Sequence, residues 1–165
     1  MSIKTWYIIN LRRSICLHLT VTISRSMNLL VPVTTIMTKE LITVQPDDSI
    51  DLIHKIFKTN KIHHLPVVES GKLMGIISIT DFLCKSKGAN YIDLNSDLSE
   101  DCKDLKATDL MTTGLAKLET TDKINIAIEV FRENLFHAIP VVEGEKIVGL
   151  VTTFDIIEHL AYAGQ

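Results

Sequence analysis

Two short stretches of this chain set a hydroxyl and a carboxylate three residues apart: Gly75-Ile76-Ile77-Ser78-Ile79-Thr80-Asp81 and Gly149-Leu150-Val151-Thr152-Thr153-Phe154-Asp155. In each, a glycine and two aliphatic residues precede the hydroxyl, as where a strand runs into a helix. Such a junction can do two kinds of chemistry. A hydroxyl at the N-cap with an acid three residues on resembles a capping box and suits the helix dipole. An exposed carboxylate at a helix start can also accept hydrogen bonds from the vicinal hydroxyls of a ribose, with the hydroxyl and free helix amides facing a phosphate. The two roles are compatible, and both stay open at this point.

Other reactive side chains form no catalytic pattern. His63 and His64 are adjacent, so on a strand they are expected on opposite faces and not on one metal, and neither H-x-x-x-H nor H-E-x-x-H occurs. For His63 and His137, a strand-edge imidazole bonded to backbone competes evenly with a ligand contact. There is no G-x-S-x-G, no G-x-x-x-x-G-K-[ST] and no cysteine spaced from a base, so no nucleophile or phosphate-transfer loop is visible and the chain reads as a non-enzyme. Met37 and Met111 read as core or cleft lining.

Composition narrows the partners. A formal charge of -3, from 17 basic and 20 acidic residues without a basic stripe, offers no phosphate-neutralising surface for nucleic acid. Cys16, Cys84 and Cys102 are an odd number without C-x-x-C spacing, which argues against a disulfide framework or thiolate metal site and for a cytoplasmic protein. No run reaches the 18 or so apolar residues of a membrane span.

The two stretches belong to a larger repeat. Sliding the chain by 74 residues lays Met37 on Met111, Phe57 on Phe131, His63 on His137, Pro66 on Pro140, Gly75 on Gly149 and Asp81 on Asp155 without a gap. A unit of this size buries too little surface to stand easily alone, so the copies are expected to share one core about a pseudo-twofold axis. Any half-site on one copy then has a mate on the other.

The elements follow from pattern. Leu41-Ile42-Thr43-Val44 reads as a strand, stopped by Pro46-Asp47-Asp48-Ser49, which offers a helix cap. Ile50, Ile53, Ile56 and Phe57 fall on one helical face, with Asp51, His54, Lys55 and Lys58 outward. Leu65 to Val68 and Leu73 to Ile77 read as a hairpin turning at Glu69-Ser70-Gly71-Lys72, with Pro66 suited to a strand's start. A second helix opens near Thr80-Asp81. The second copy repeats this with a strand at Leu115 to Leu118, a helix over Ile124 to Phe131, strands at Ile139 to Val142 and Ile147 to Val151, and a helix from Asp155 to Leu160. The fold class is α/β (α+β), two tandem β-α-β-β-α units packed as one module. The expected divisions are an N-terminal extension at 1–30, repeat 1 at 31–87, an acidic linker at 88–106 and repeat 2 at 107–160. The linker, carrying Asp93, Asp97, Glu100, Asp101 and Asp104, reads as solvated. In the extension, Ile15 to Ile23 alternates like an amphipathic strand and makes a poor signal peptide; Met27, just before the repeat, is an alternative start.

A duplicated β-α-β-β-α unit with M-T near its start, h-x-h-P-V-V in its middle and G-h-h-[ST]-x-x-D at its end resembles the cystathionine-β-synthase (CBS) domain, paired as a Bateman module. The resemblance covers about Val31 to Leu160, and Asn60 to Val67 and Ser78 to Phe82 are also similar to segments of the gamma subunit of AMP-activated protein kinase. It implies clefts between the copies that bind AMP, ADP, ATP or S-adenosylmethionine, with no cofactor required. By that resemblance, Asp81 and Asp155 hold ribose, Ser78 and Thr152 lie near phosphate, and backbone at Thr43-Val44 and Lys117-Leu118 frames adenine. His63, with its repeat mate His137, matches a phosphate-facing histidine. His64 stands where the gamma-subunit pattern has arginine, and with Thr80 it clusters near the first motif, whereas Ala138 and Phe154 stand at the second. The resemblance further implies a regulatory module that forms a homodimer, with surplus aliphatic surface at Ile126 and Ile156-Ile157, and acts on a target protein. The alternative is a dimerisation module with empty clefts.

Overall fold

The computed structural model describes residues 28–87, 94, 98, 102–133 and 136–162. The first copy runs from a 3-10 turn (Val33–Thr35) through helix α1 (Ile50–Asn60), strands β1 (His64–Glu69) and β2 (Lys72–Ser78), and helix α2 (Ile79–Lys87). The second copy has a short helix α3 (Ala107–Leu110) in place of the 3-10 turn, then β3 (Leu118–Glu119), α4 (Ile124–Glu133), β4 (Ala138–Glu143), β5 (Lys146–Thr152) and α5 (Thr153–Tyr162). The strands form one sheet in the order β1-β2-β5-β4-β3, with β2 and β5 meeting at Lys72 opposite Lys146. The apposed lysine ammoniums do not stand alone, since Lys72 pairs with the Glu145 carboxylate.

Local chemistry explains most boundaries. The Ser49 hydroxyl accepts the Leu52 amide at the start of α1, and Lys61, with φ of 52°, ends it in the left-handed conformation. The β1–β2 hairpin turns through Ser70 and Gly71, both at positive φ. The first strand of each copy is shorter than the sequence predicts: Leu41 to Val44 contributes one bridge, Val44 beside Val67, and Leu115 to Leu118 contributes β3. Pro66 supplies the reason. The Val44 amide donates to the Pro66 carbonyl, and the Val68 amide to the Val44 carbonyl. The next rung of this parallel ladder would start from the nitrogen of Pro66, which carries no hydrogen. Pro66 therefore sits inside β1, opposite Ile76, and not at its start. Helices α2 and α5 begin at Ile79 and Thr153, slightly ahead of the positions read from sequence, because Ser78 and Thr152 are the caps.

The copies exchange their leading segments. Thr38 of the first copy bridges to Leu150 of the second, and its repeat mate Thr112 bridges to Ile76 of the first; Pro32 with Lys123 and Ser49 with Lys106 form a second reciprocal pair. The expected single shared core is instead two exchanged ones. Ala107 and Leu110 of the second copy pack with Ile50, Ile53, Phe57, Leu65, Ile77 and Phe82 of the first. Val33 of the first packs with Leu118, Ile124, Ile139 and Val151 of the second. A third cluster, of Leu73, Ile76 and Leu150, lies on the seam. Neither copy completes its own core, so folding one without the other would leave apolar surface open.

The glycine of each terminal motif is part of this exchange. A Cβ on Gly75 would lie 2.7 Å from the Thr112 carbonyl oxygen and 2.8 Å from the Met111 sulfur, and a Cβ on Gly149 would lie 2.9 Å from Met37 Cγ and nearer still to its sulfur. Both glycines make room for the partner copy's leading segment.

The linker departs from the solvated reading where it is described. Leu94, Leu98, Cys102 and Leu105 pack on the first core, and Cys102 is 8% exposed. Their spacing of four, four and three residues repeats at the interval that keeps apolar groups on one face, and Asp104, between Cys102 and Leu105, is exposed. His54, read as outward, is held there too: it stacks on Phe82 with ring centroids 5.7 Å apart, and its Nε2 lies 2.7 Å from the Leu94 carbonyl oxygen. The linker leaves the copies unequal. Leu83 is buried at 7% exposure, while its repeat mate Ile157 is 62% exposed. Ile156, expected on the surface, is 7% exposed because it occupies the core position of Phe82. Among the described residues, no helix is long and apolar enough to cross a membrane.

Candidate functional site

The exchange opens a cavity of about 770 Å³ between the copies, at the end of the sheet where β2 and β5 run into their helices. Two symmetric hydrogen bonds shape it. The Ile79 amide donates to the His63 carbonyl at 2.8 Å, and the Thr153 amide donates to the His137 carbonyl at 3.1 Å. Each bond ties the residue entering a strand to the first turn of the following helix, bringing imidazole, cap hydroxyl and acid together. His63, His64, Ser78, Thr80, Asp81, His137 and Thr152 all line the cavity.

The remaining sequence-predicted residues lie elsewhere. Val44 and Leu118 are buried core residues, at 3% and 1% exposure, and Lys117 is exposed outside the lining. Thr43 borders a smaller recess of about 270 Å³, with Lys39 and Val148. Asp155 is half-buried and does not line the main cavity. Sequence reasoning missed Glu40, Ile42, Ile62, Leu115, Phe136 and Phe154, which do line it. Most of these sit just before a shortened first strand or just before β1 and β4, where no periodicity marks them. Phe154, seen from sequence only as a lost threonine, is 67% exposed and adds an aromatic face.

The two acid motifs form caps of unequal completeness. In the first copy Ser78 Oγ donates to Asp81 Oδ2 at 2.6 Å and accepts the Asp81 amide at 3.0 Å. In the second, Asp155 Oδ2 accepts from both the Thr152 amide, at 2.6 Å, and the Thr152 hydroxyl, at 2.7 Å, while the Asp155 amide returns to Thr152 Oγ1 at 3.2 Å. Asp155 thus closes a full capping box, and Asp81 keeps more acceptor capacity facing the cavity.

Three imidazoles meet at the seam. His63 and His64 share the cavity because β1 begins only at His64, so strand alternation does not apply to His63. His64, opposite Ser78 in the ladder, is half-buried. Burial, with His63 and His137 beside it, pushes its pKa down to about 4 against an upward pull from Asp81. It is therefore neutral at pH 7 and brings no cation to the place where the related pattern has arginine. Among the described residues, no group of histidine, cysteine or acid side chains is arranged to hold a metal.

Comparisons with known proteins agree with this architecture. The family model for the CBS domain matches twice, at residues 33–88 and 107–162. An uncharacterized protein of Methanocaldococcus jannaschii is 31% identical over 150 residues, covering 76% of this chain and 88% of that protein. Among solved structures, CBSX2 in complex with AMP superimposes with a TM-score of 0.66 at 22% identity, covering 81% of this chain and 98% of that one. The CBS domain pair of protein MJ0100, in complex with 5′-methylthioadenosine and S-adenosyl-L-methionine, gives 0.65 at 24% identity, covering 80% and 97%.

Proposed function

Since the chain belongs to the CBS domain family, as a tandem pair of its repeats, we propose that it is a non-enzymatic regulatory module that binds an adenosine-containing ligand in the seam cavity. The observation that carries this is the placing of Asp81, at the first turn of α2, in a cavity walled by both copies and large enough for a nucleoside. Its carboxylate offers the acceptors that a ribose diol requires, and the apolar residues at the sheet end offer a surface for a purine. Two structures of the same fold hold such ligands: AMP in one, 5′-methylthioadenosine and S-adenosyl-L-methionine in the other. A ligand touching both copies favours one relative arrangement by its differential affinity, and that arrangement is the signal passed to a target protein.

Thermal denaturation with adenosine, AMP, ATP, 5′-methylthioadenosine and S-adenosylmethionine tests the reading, because a ligand of the folded state alone raises stability by mass action. A melting temperature that none of these moves at millimolar concentration rejects it.

The same reading includes a homodimer. Leu52 and its repeat mate Ile126 are 40% and 38% exposed, and Ile157 lies open on the face that the linker covers in the first copy. Three aliphatic side chains on helix faces are what a second copy would bury. A clean monomer by light scattering at tens of micromolar counts against it.

A further inference from the structure

We propose that the seam cavity selects among adenosine ligands by the charge on the 5′ substituent, preferring a neutral thioether or a cationic sulfonium to a phosphate. The proposal rests on the adenosine reading above and adds to it the class of ligand.

A bound phosphate needs a guanidinium, an ammonium or several free N–H donors. Among the described residues, the cavity lining has neither lysine nor arginine; its ionisable residues are Glu40, Asp81, His63, His64 and His137. Burial holds His64 neutral, so it supplies no cation. Two amides at each helix N-terminus are also committed to the protein. The Ile79 and Thr153 amides donate to the His63 and His137 carbonyls, and the Asp81 and Asp155 amides donate to the Ser78 and Thr152 hydroxyls. A phosphate here would face carboxylates across a partly desolvated space, with hydroxyls and imidazoles but no guanidinium or ammonium among the described lining residues to balance its charge. A thioether carries no charge to compensate. A sulfonium gains from Glu40 and Asp81, and from the exposed aromatic face of Phe154.

Calorimetry on the full chain at neutral pH, with adenosine, 5′-methylthioadenosine, S-adenosylmethionine, AMP and ATP, tests the proposal. The expected result is binding of 5′-methylthioadenosine and S-adenosylmethionine at least about 10-fold tighter than AMP, with ATP weakest. Glu40→Lys, at an exposed position, should shrink the preference for 5′-methylthioadenosine over AMP by about 3-fold or more, and Glu40→Gln should move it the same way by less. AMP or ATP binding as tightly as the thioether overturns the charge proposal while the adenosine reading stands. A preference that neither Glu40 variant changes also overturns it, because shape alone would then be selecting. Failure of all five ligands, adenosine included, overturns both readings together.

Discussion

Thr38 and Leu150 exchange both of their backbone hydrogen bonds, at 2.9 and 3.0 Å, although one belongs to the first repeat and the other to the second. Thr112 and Ile76 make the same pair in the opposite direction, at 2.8 and 3.0 Å. These rungs fix the two leading segments across the seam, and the cavity exists because they do: Thr38 and Thr112 both line it.

The glycines beneath these rungs should differ in their tolerance of a methyl group. Gly75→Ala sets a Cβ against the Thr112 carbonyl, a backbone atom that can retreat only by breaking the rung. Gly149→Ala first meets the side chain of Met37, which has other rotamers. Urea denaturation should show a loss of about 1–3 kcal/mol for Gly75→Ala and a smaller one for Gly149→Ala. Equal losses would mean that the Met37 side chain is held as firmly as backbone.

The linker should contribute to stability. Leu98→Ala removes a half-buried side chain from the first core and should cost about 1–2 kcal/mol, below the range for fully buried leucines. Chemical denaturation of this variant, beside an exposed linker substitution such as Asp104→Ala, measures the difference. No loss for Leu98→Ala would return the linker to the solvated class.

His64 should make the protein acid-sensitive. Its pKa falls from 6.5 to about 4 on folding, chiefly through burial, so below pH 6.5 the unfolded chain takes up a proton that the folded chain refuses. The stability it contributes is complete above pH 6.5 and is lost as pH falls toward 4, up to roughly 3 kcal/mol in all. His64→Ala, which copies the Ala138 of the second repeat, should flatten the melting temperature across that window. A wild-type profile that is already flat would show that His64 is not desolvated.

The two motif acids should separate in their effects. Asp81→Ala, on the cavity wall, should weaken adenosine-ligand binding by about 1–3 kcal/mol and cost little stability. Asp155→Ala removes the acceptor of two hydrogen bonds in a capping box outside the main cavity, so it should lower stability by about 1 kcal/mol and change affinity less. Calorimetry with denaturation on both variants decides this. The reverse pattern would place the ligand at the second motif.

The sequence by itself determined the repeat, the helices and the hairpins. The 74-residue offset, the aliphatic positions of Ile50, Ile53 and Phe57, and the turn at Ser70-Gly71 are local or periodic signals, and local physics reads them directly. It also placed seven cavity residues, because the strand-to-helix motif carries Ser78, Thr80, Asp81 and Thr152 in register, and the residues before Pro66 and Pro140 include His63, His64 and His137. Only the tertiary structure decided which half of each core comes from the other copy, that Gly75 and Gly149 yield to a crossing segment, and that Asp155 is a cap while Asp81 faces the cavity. The two acids close the same G-h-h-[ST]-x-x-D motif, with Thr80 before one and Phe154 before the other, and only Asp81 lines the main cavity. The neutral state of His64 likewise comes from His63, His137 and burial acting together, and one of those neighbours is 73 residues away along the chain. Periodicity records which face of an element is apolar, but not which distant segment will cover it, and here the covering segments are exchanged between the copies.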